Sequence, residues 1–149
     1  MKAKSSILVV ALAAICLMAV SGFASASPTT SAVFNSYGGA CYNLNYITGN
    51  PDGYYAQVTG SGGGQIICTL GSMAPSGSVI ETKAYGSGYF YIYAQNYDTG
   101  VWQQLKVVQL SGSATVYQTV SVGFRFNTVA IAIIPPPTSV NAFVDYVKV

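Results

Sequence analysis

From Ser31 to the C-terminus the chain is written in short runs of Val, Ile, Thr, Tyr and Phe, each soon cut off by Gly, Ser, Pro, Asn or Asp. Nowhere does an apolar stripe recur at i, i+3 and i+4. β-Branched and aromatic side chains suit a pleated, half-buried surface, whereas an amphipathic helix needs a 3.6-residue period, so this pattern dictates strands. The runs predict strands over 32–35, 41–47, 54–59, 65–70, 79–85, 89–95, 102–110, 115–122, 129–134 and 142–149. Breaks are expected at Gly38-Gly39, Asn50-Pro51-Asp52-Gly53, Gly60 to Gly64, Pro75-Ser76-Gly77, Gly86-Ser87-Gly88, Asp98-Thr99-Gly100, Ser111-Gly112-Ser113 and Pro135-Pro136-Pro137. An open single sheet would leave one apolar face wet. The expectation is therefore all-β: a two-sheet antiparallel β-sandwich of the jelly-roll kind. The run from Val129 to Ile134 is apolar at nearly every position and suits a central strand covered on both sides.

The N-terminus reads differently. Lys2 and Lys4 precede an apolar run from Ile7 to Val20, a break at Ser21-Gly22, and Ala24-Ser25-Ala26 before Ser27. This is the layout of a helical signal peptide over 1–26, leaving one domain over 27–149 that is secreted or held at the cell surface. The apolar run is shorter than the ~20 residues of a membrane span, so no span is expected after cleavage. Cys16 would leave with the signal. Cys41 and Cys68 remain, and an oxidising export route predicts a disulfide between them, with a loop-closure contribution of about 3 to 4 kcal/mol. Two buried free thiols are the alternative.

Charge and residue types narrow the function. With Lys2 and Lys4 removed, the six basic residues come into balance with the four acidic ones, which argues against a nucleic-acid partner. There is no histidine, and Asp52, Glu81, Asp98 and Asp145 are the only carboxylate side chains. Most hydrolytic, redox and metal-catalytic designs thus lack an acid, a base or a ligand. No G-x-S-x-G or C-x-x-C occurs, and Gly60 to Gly64 lacks the Lys-Ser/Thr that completes a phosphate loop. The chain is expected not to be an enzyme.

Tyr89, Tyr91, Tyr93 and Gln95 alternate with Phe90, Ile92 and Ala94, so a two-residue period puts the tyrosines on one face. Rings ~6.8 Å apart along a strand could stack on a sugar or a partner, or could simply cover a solvent-facing sheet. Twelve tyrosines against one tryptophan make a sticky, uncharged surface plausible. Trp102 shares a face with Gln104 and Lys106 and could bind ligand or pin the loop before it. Asp98 with Gly100 reads as a turn. Asp145 shares its face with Phe143, Val147 and Val149, and a carboxylate in apolar surroundings needs a partner. Lys83, Arg125 or a calcium ion held with Asp52 would serve. Glu81 and Lys83, two apart on one face, read as a solvated pair.

Asn50-Pro51-Asp52-Gly53-Tyr54-Tyr55-Ala56, followed by Gln65-Ile66-Ile67-Cys68-Thr69-Leu70-Gly71, resembles the opening of galactose-binding-like (discoidin-like) jelly-roll domains. Val79-Ile80-Glu81-Thr82, then Tyr91-Ile92-Tyr93 with Asn96, Asp98, Gly100 and Trp102, is similar to the central strands and loop of that family. Asn141 to Val149 looks like its last strand. The resemblance runs roughly from Asn50 to Val149. It implies a carbohydrate- or surface-binding module of secreted or cell-surface proteins, a Trp that packs at the end of the sandwich, and a structural calcium near the first loops and last strand, here Asp52 and Asp145. The chain departs from the family in being short of charged side chains in its loops. The expected function is an exported, non-catalytic module for extracellular or cell-surface carbohydrate, using Tyr89, Tyr91, Tyr93, Asp98 and Trp102. The alternative is a structural surface or matrix protein that self-associates, which a net charge near zero favours.

Overall fold

A computed structural model describes residues 28–48, 52–134 and 140–149. The expected signal peptide over 1–26 lies outside the described residues, as do Asn50, Pro51 and Pro135 to Pro137. Among the described residues eight strands follow one another: β1 (Thr29–Ser36), β2 (Gly39–Tyr42), β3 (Ala56–Gly60), β4 (Gly64–Ala74), β5 (Val79–Gln95), β6 (Trp102–Ser121), β7 (Phe126–Ile134) and β8 (Val140–Lys148). Their pairings are antiparallel. A 3-10 turn, Leu44–Ile47, stands where the sequence reading carried a strand on to residue 47. Asn43 enters that turn with a left-handed φ of 56°, which ends β2 and drops Ile47 into the core.

Two layers arise because β5 serves both. Its second half pairs β7 through Tyr89↔Ile134 to Ala94↔Val129, and its first half pairs β8 through Glu81↔Lys148 to Ser87↔Asn141. The first sheet therefore runs β1-β4-β7-β5 and the second β2-β3-β8-β5, with β6 beside β5 along both. Even-numbered residues of β5 (Ile80, Ala84, Phe90, Ile92, Ala94) point inward and meet Ile66, Cys68, Phe126, Val129, Ile131 and Ile133 of one layer and Val58, Val144 and Val147 of the other. Each such Ile or Phe side chain, fully buried, contributes roughly 1.5–3 kcal/mol. This is the expected antiparallel sandwich.

The joint between layers corrects the reading of ten strands. Gly86-Ser87-Gly88 and Ser111-Gly112-Ser113, expected as breaks, instead face one another across a continuous hairpin, Gly86↔Gly112 and Ser87↔Ser111. They are bends within two long strands. Gly86 sits at φ 119°, and a Cβ on it would lie 2.1 Å from the Asn141 carbonyl oxygen, so the close pass of β8 demands glycine.

Cys41 and Cys68 are free thiols, and the expected disulfide is absent. Cys41 stands on β2 opposite Val58, and Cys68 on β4 between Ala32 and Val129, so the two belong to different layers. Burial pushes the Cys68 thiol up to about 12 and the Cys41 thiol to about 11, with a hydrogen bond from Thr29 opposing the rise at Cys68. Both stay protonated and behave as small hydrophobes near neutral pH. Among the described residues no helix is long and apolar enough to cross a membrane.

Candidate functional site

The outer face of the first sheet collects the tyrosine row. Tyr89, Tyr91 and Tyr93 alternate with buried Phe90, Ile92 and Ala94. The rings of Tyr91 and Tyr93 lie 6.3 Å apart and within 18° of parallel, one stacked behind the other along the strand. On one side Tyr91 stands across from Ala132 and Tyr93 from Ala130. These alanines are small and buried, so larger neighbouring side chains close over β7 beside the rings. Beyond them stand Gln65 and Ile67 of β4, then Asn35 and Val33 of β1.

On the other side β6 completes the platform. Trp102 pairs with Gln95 and Gln104 with Tyr93, but a bulge then intervenes and Lys106 falls opposite inward-facing Ile92. Val107, not Lys106, continues the face opposite Tyr91, because the extra residue shifts the alternation by one. Tyr93 donates its hydroxyl hydrogen to Gln104 Oε1 at 3.3 Å, and Tyr37 donates to Gln65 Oε1 at 3.2 Å. Partial burial, then the neighbouring Tyr91 and Tyr37, raises the Tyr93 phenol above its ordinary value. Both amides are thus held at the rim through their oxygens, and among the described residues nothing accepts from their NH₂ groups. Trp102 is 38 % exposed and Tyr89 37 %, enough ring surface to meet a ligand.

Asp98 lies in the loop that joins Gln95 of β5 to Trp102 of β6. Asn96, not Asp98, shapes the loop: its Oδ1 accepts the backbone N–H of Asp98 at 2.9 Å and of Thr99 at 3.3 Å. The Asp98 carboxylate accepts from Arg125, whose guanidinium also covers the Tyr97 ring at 5.7 Å.

Asp145 is 1 % exposed, and its Oδ2 accepts from Lys83 Nζ at 3.1 Å. Glu81 pairs across the ladder with Lys148 at 3.0 Å, so the expected Glu81–Lys83 pair does not form. Asp52 is exposed and its Oδ1 accepts the Tyr54 N–H at 2.9 Å, closing its own turn. The orphaned Asp145 Oδ1 would suit a cation, yet an ammonium occupies the neighbouring oxygen. No group of three or more His, Cys, Asp or Glu gathers among the described residues. One orphan oxygen beside Lys83 does not fit the six to eight oxygens that calcium takes.

The platform is an uncharged strip of rings flanked by amides, laid on a rigid antiparallel sheet. The same architecture is found elsewhere. Three solved structures of family 29 carbohydrate binding modules are similar to this chain. One variant module is 11% identical, covering 84% of this chain and 91% of its own at a TM-score of 0.61. A second, complexed with mannohexaose, is 11% identical over 83% of this chain and 89% of its own, again at 0.61. A third, complexed with cellulohexaose, is 12% identical over 80% and 91% at 0.53. At such identities the likeness is one of fold, and it agrees with the carbohydrate-binding-module type of β-sandwich. No protein-family model matches the chain. No curated protein matches it either.

The sequence pointed to Tyr89, Tyr91, Tyr93, Asp98 and Trp102; the structure brings the three tyrosines and Trp102 to one face and pairs Asp98 with Arg125 in the loop between β5 and β6. The sequence reading missed Gln65, Gln104, Ala130, Ala132 and Tyr37. Alternation along β4 and β7 places those residues outward, but only the strand order sets them beside the tyrosines.

Proposed function

We propose that the protein is an exported, non-catalytic module that binds a neutral polysaccharide along the Tyr89/Tyr91/Tyr93 face. The observation that carries this reading is the outward row of Tyr89, Tyr91 and Tyr93, with Tyr91 and Tyr93 near-parallel at 6.3 Å and held beside the Gln65 and Gln104 amides. Aromatic faces pack against the C–H faces of sugar rings, and oriented amides at the rim serve the hydroxyls. The face carries no charged side chain among its described residues, which suits a neutral glycan. Support comes also from the fold, since similar modules have been solved with mannohexaose and cellulohexaose. The signal-like residues over 1–26 would place the module outside the cell.

Isothermal titration calorimetry with mannohexaose and cellulohexaose tests this. Binding by the native chain that the Tyr91→Ala, Tyr93→Ala variant weakens about fivefold or more supports the reading, two lost ring contacts being worth about 1–3 kcal/mol together. Native-like affinity in that variant overturns the placement.

A second reading, self-association, is favoured by one observation. Among the described residues β6 pairs with β5 alone, leaving a 20-residue edge that contains one charge, Lys106, and no proline. Natural edges are usually shortened, charged or bulged against pairing, and β6 has only its bulges. Light scattering after size-exclusion chromatography separates the readings: a monomer at high concentration overturns the second.

A further inference from the structure

Resting on the glycan-binding reading, we infer that the chain carries a second sugar site at the bend of the outer face of the second sheet, shaped for one neutral hexose unit at a chain end. A hollow of about 280 Å³ lies there, lined by Tyr85, Gly86, Ser87, Gly112, Asn141 and Phe143. It belongs to the other layer and shares no residue with the tyrosine strip.

Its wall is aromatic and already fixed. Tyr85 and Phe143 stack at 4.6 Å and 8° across the β5–β8 ladder, and Tyr55 meets Tyr85 edge-on at 4.9 Å and 82°. Rings locked in this way lose little freedom when a ligand arrives. Glycine opens the space. Gly86 can carry no side chain, and Gly112 has nothing within 4 Å of where a Cβ would stand. Two larger residues there would fill the hollow.

The floor is polar without charge. Ser87 Oγ accepts the Asn141 N–H at 3.2 Å, leaving the Ser87 hydroxyl hydrogen to donate outward. Asn141 Oδ1 accepts from Gln57 Nε2 at 2.9 Å, leaving the Asn141 NH₂ group and Gln57 Oε1 for a ligand. An apolar wall opposite a few convergent hydroxyl and amide groups is the layout of a small-ligand site. It matches a sugar's C–H face and hydroxyls, and the neutral lining gives no advantage to an anionic sugar. Its size suits one ring, where the tyrosine strip suits a run of them. Two sites on two layers would let one molecule bridge two polysaccharide chains.

Amide chemical shifts of the isotope-labelled native protein, titrated with mannohexaose and with cellulohexaose, test this directly. The expected result is two groups of shifts, one along β5 at Tyr89 to Tyr93 and one at Gly86, Ser87 and Gly112, with two ligands bound per chain. The Tyr91→Ala, Tyr93→Ala variant should keep the second group, and Ser87→Val should weaken it about tenfold while leaving the first. Phe143→Ala should abolish it, the undisturbed remainder of the spectrum reporting that the variant is folded. Shifts confined to the tyrosine strip with one ligand per chain would overturn the second site and leave the first standing. Shifts confined to the hollow would overturn the first placement and keep the second. No shifts with either sugar would overturn both.

Discussion

At Lys83 one ammonium serves several partners. It donates to Asp145 at 3.1 Å and lies 5.3 Å from the Tyr55 ring centre and 5.6 Å from that of Tyr117. The Tyr55 hydroxyl, and then the Asp145 carboxylate, holds Lys83 above its ordinary value. Removing the ammonium leaves a carboxylate that is 1 % exposed without its partner. Lys83→Met should therefore destabilise the fold by about 3 kcal/mol, whereas Lys83→Met with Asp145→Leu should recover most of the loss. Urea unfolding of the single and double variants checks this; equal stability of Lys83→Met and the native chain would contradict it. Alternation places Asp145 on one face with Phe143, Val147 and Val149, but a register shift at Asp145 separates outward Phe143 from core-facing Val147, and the carboxylate is buried at that irregularity. The sequence could not choose between Lys83 and Arg125: that choice depends on β8 lying against the first half of β5, while Arg125 sits at the far loop with Asp98.

The β5–β6 hairpin is the element on which both faces depend. Strand β5 continues through Gly86 and Gly88 with only Gly86 interrupting the buried even positions, so its outward residues supply Tyr85 and Ser87 to one layer and Tyr89, Tyr91 and Tyr93 to the other. Strand propensity and alternation were legible in the sequence. Continuity through the glycines was not, since Gly-Ser-Gly serves equally as a turn and as a bend, and only the opposed Ser-Gly-Ser of β6 distinguishes the two. Gly86→Ala should destabilise the protein by about 3 kcal/mol, because alanine at φ 119° is strained and its Cβ would meet the Asn141 carbonyl. Gly77→Ala, at φ 90° but with no atom near its Cβ, should cost less. Thermal denaturation of the pair checks the ranking, and an equal loss in both would show that close approach at Gly86 carries no penalty. The bulge before Val107 is the other element-scale surprise. Counting by twos from Trp102 puts Lys106 on the platform, and one extra residue removes it.

For the whole molecule, the titrating groups shift with one sign on the alkaline side. Burial raises Cys68 to about 12 and Cys41 to about 11 from an ordinary 9.0, and burial raises Tyr93 and Tyr146 as well. Above about pH 9 the unfolded chain loses thiol protons that the fold retains. The unfolded state then binds fewer protons, and stability falls as pH rises. Lys83 acts in the same sense: its contribution is present below the ordinary 10.5 and is lost above it. Cys68, the more deeply buried of the two thiols, should contribute the larger part of the thiol slope. Urea midpoints should therefore fall steeply from pH 9 to 11, with a shallower fall in Cys68→Ala; a flat native profile would contradict the buried free thiol. The sandwich itself was legible from strand patterning, because short β-branched and aromatic runs cut by glycine and proline leave no helical period. Which outer face holds the tyrosines beside which amides was not legible, because the order β1-β4-β7-β5-β8-β3-β2 is a long-range property.

The most direct test of the central claim is affinity electrophoresis of the native protein through gels containing a soluble β-mannan or a soluble cellulose derivative, beside the Tyr91→Ala, Tyr93→Ala variant. The expected result is retardation of the native chain on at least one matrix, strongly reduced in the variant and unchanged by a calcium chelator. Native migration unaffected by either polysaccharide, or a variant retarded as much as the native chain, would contradict a glycan-binding role for the tyrosine face.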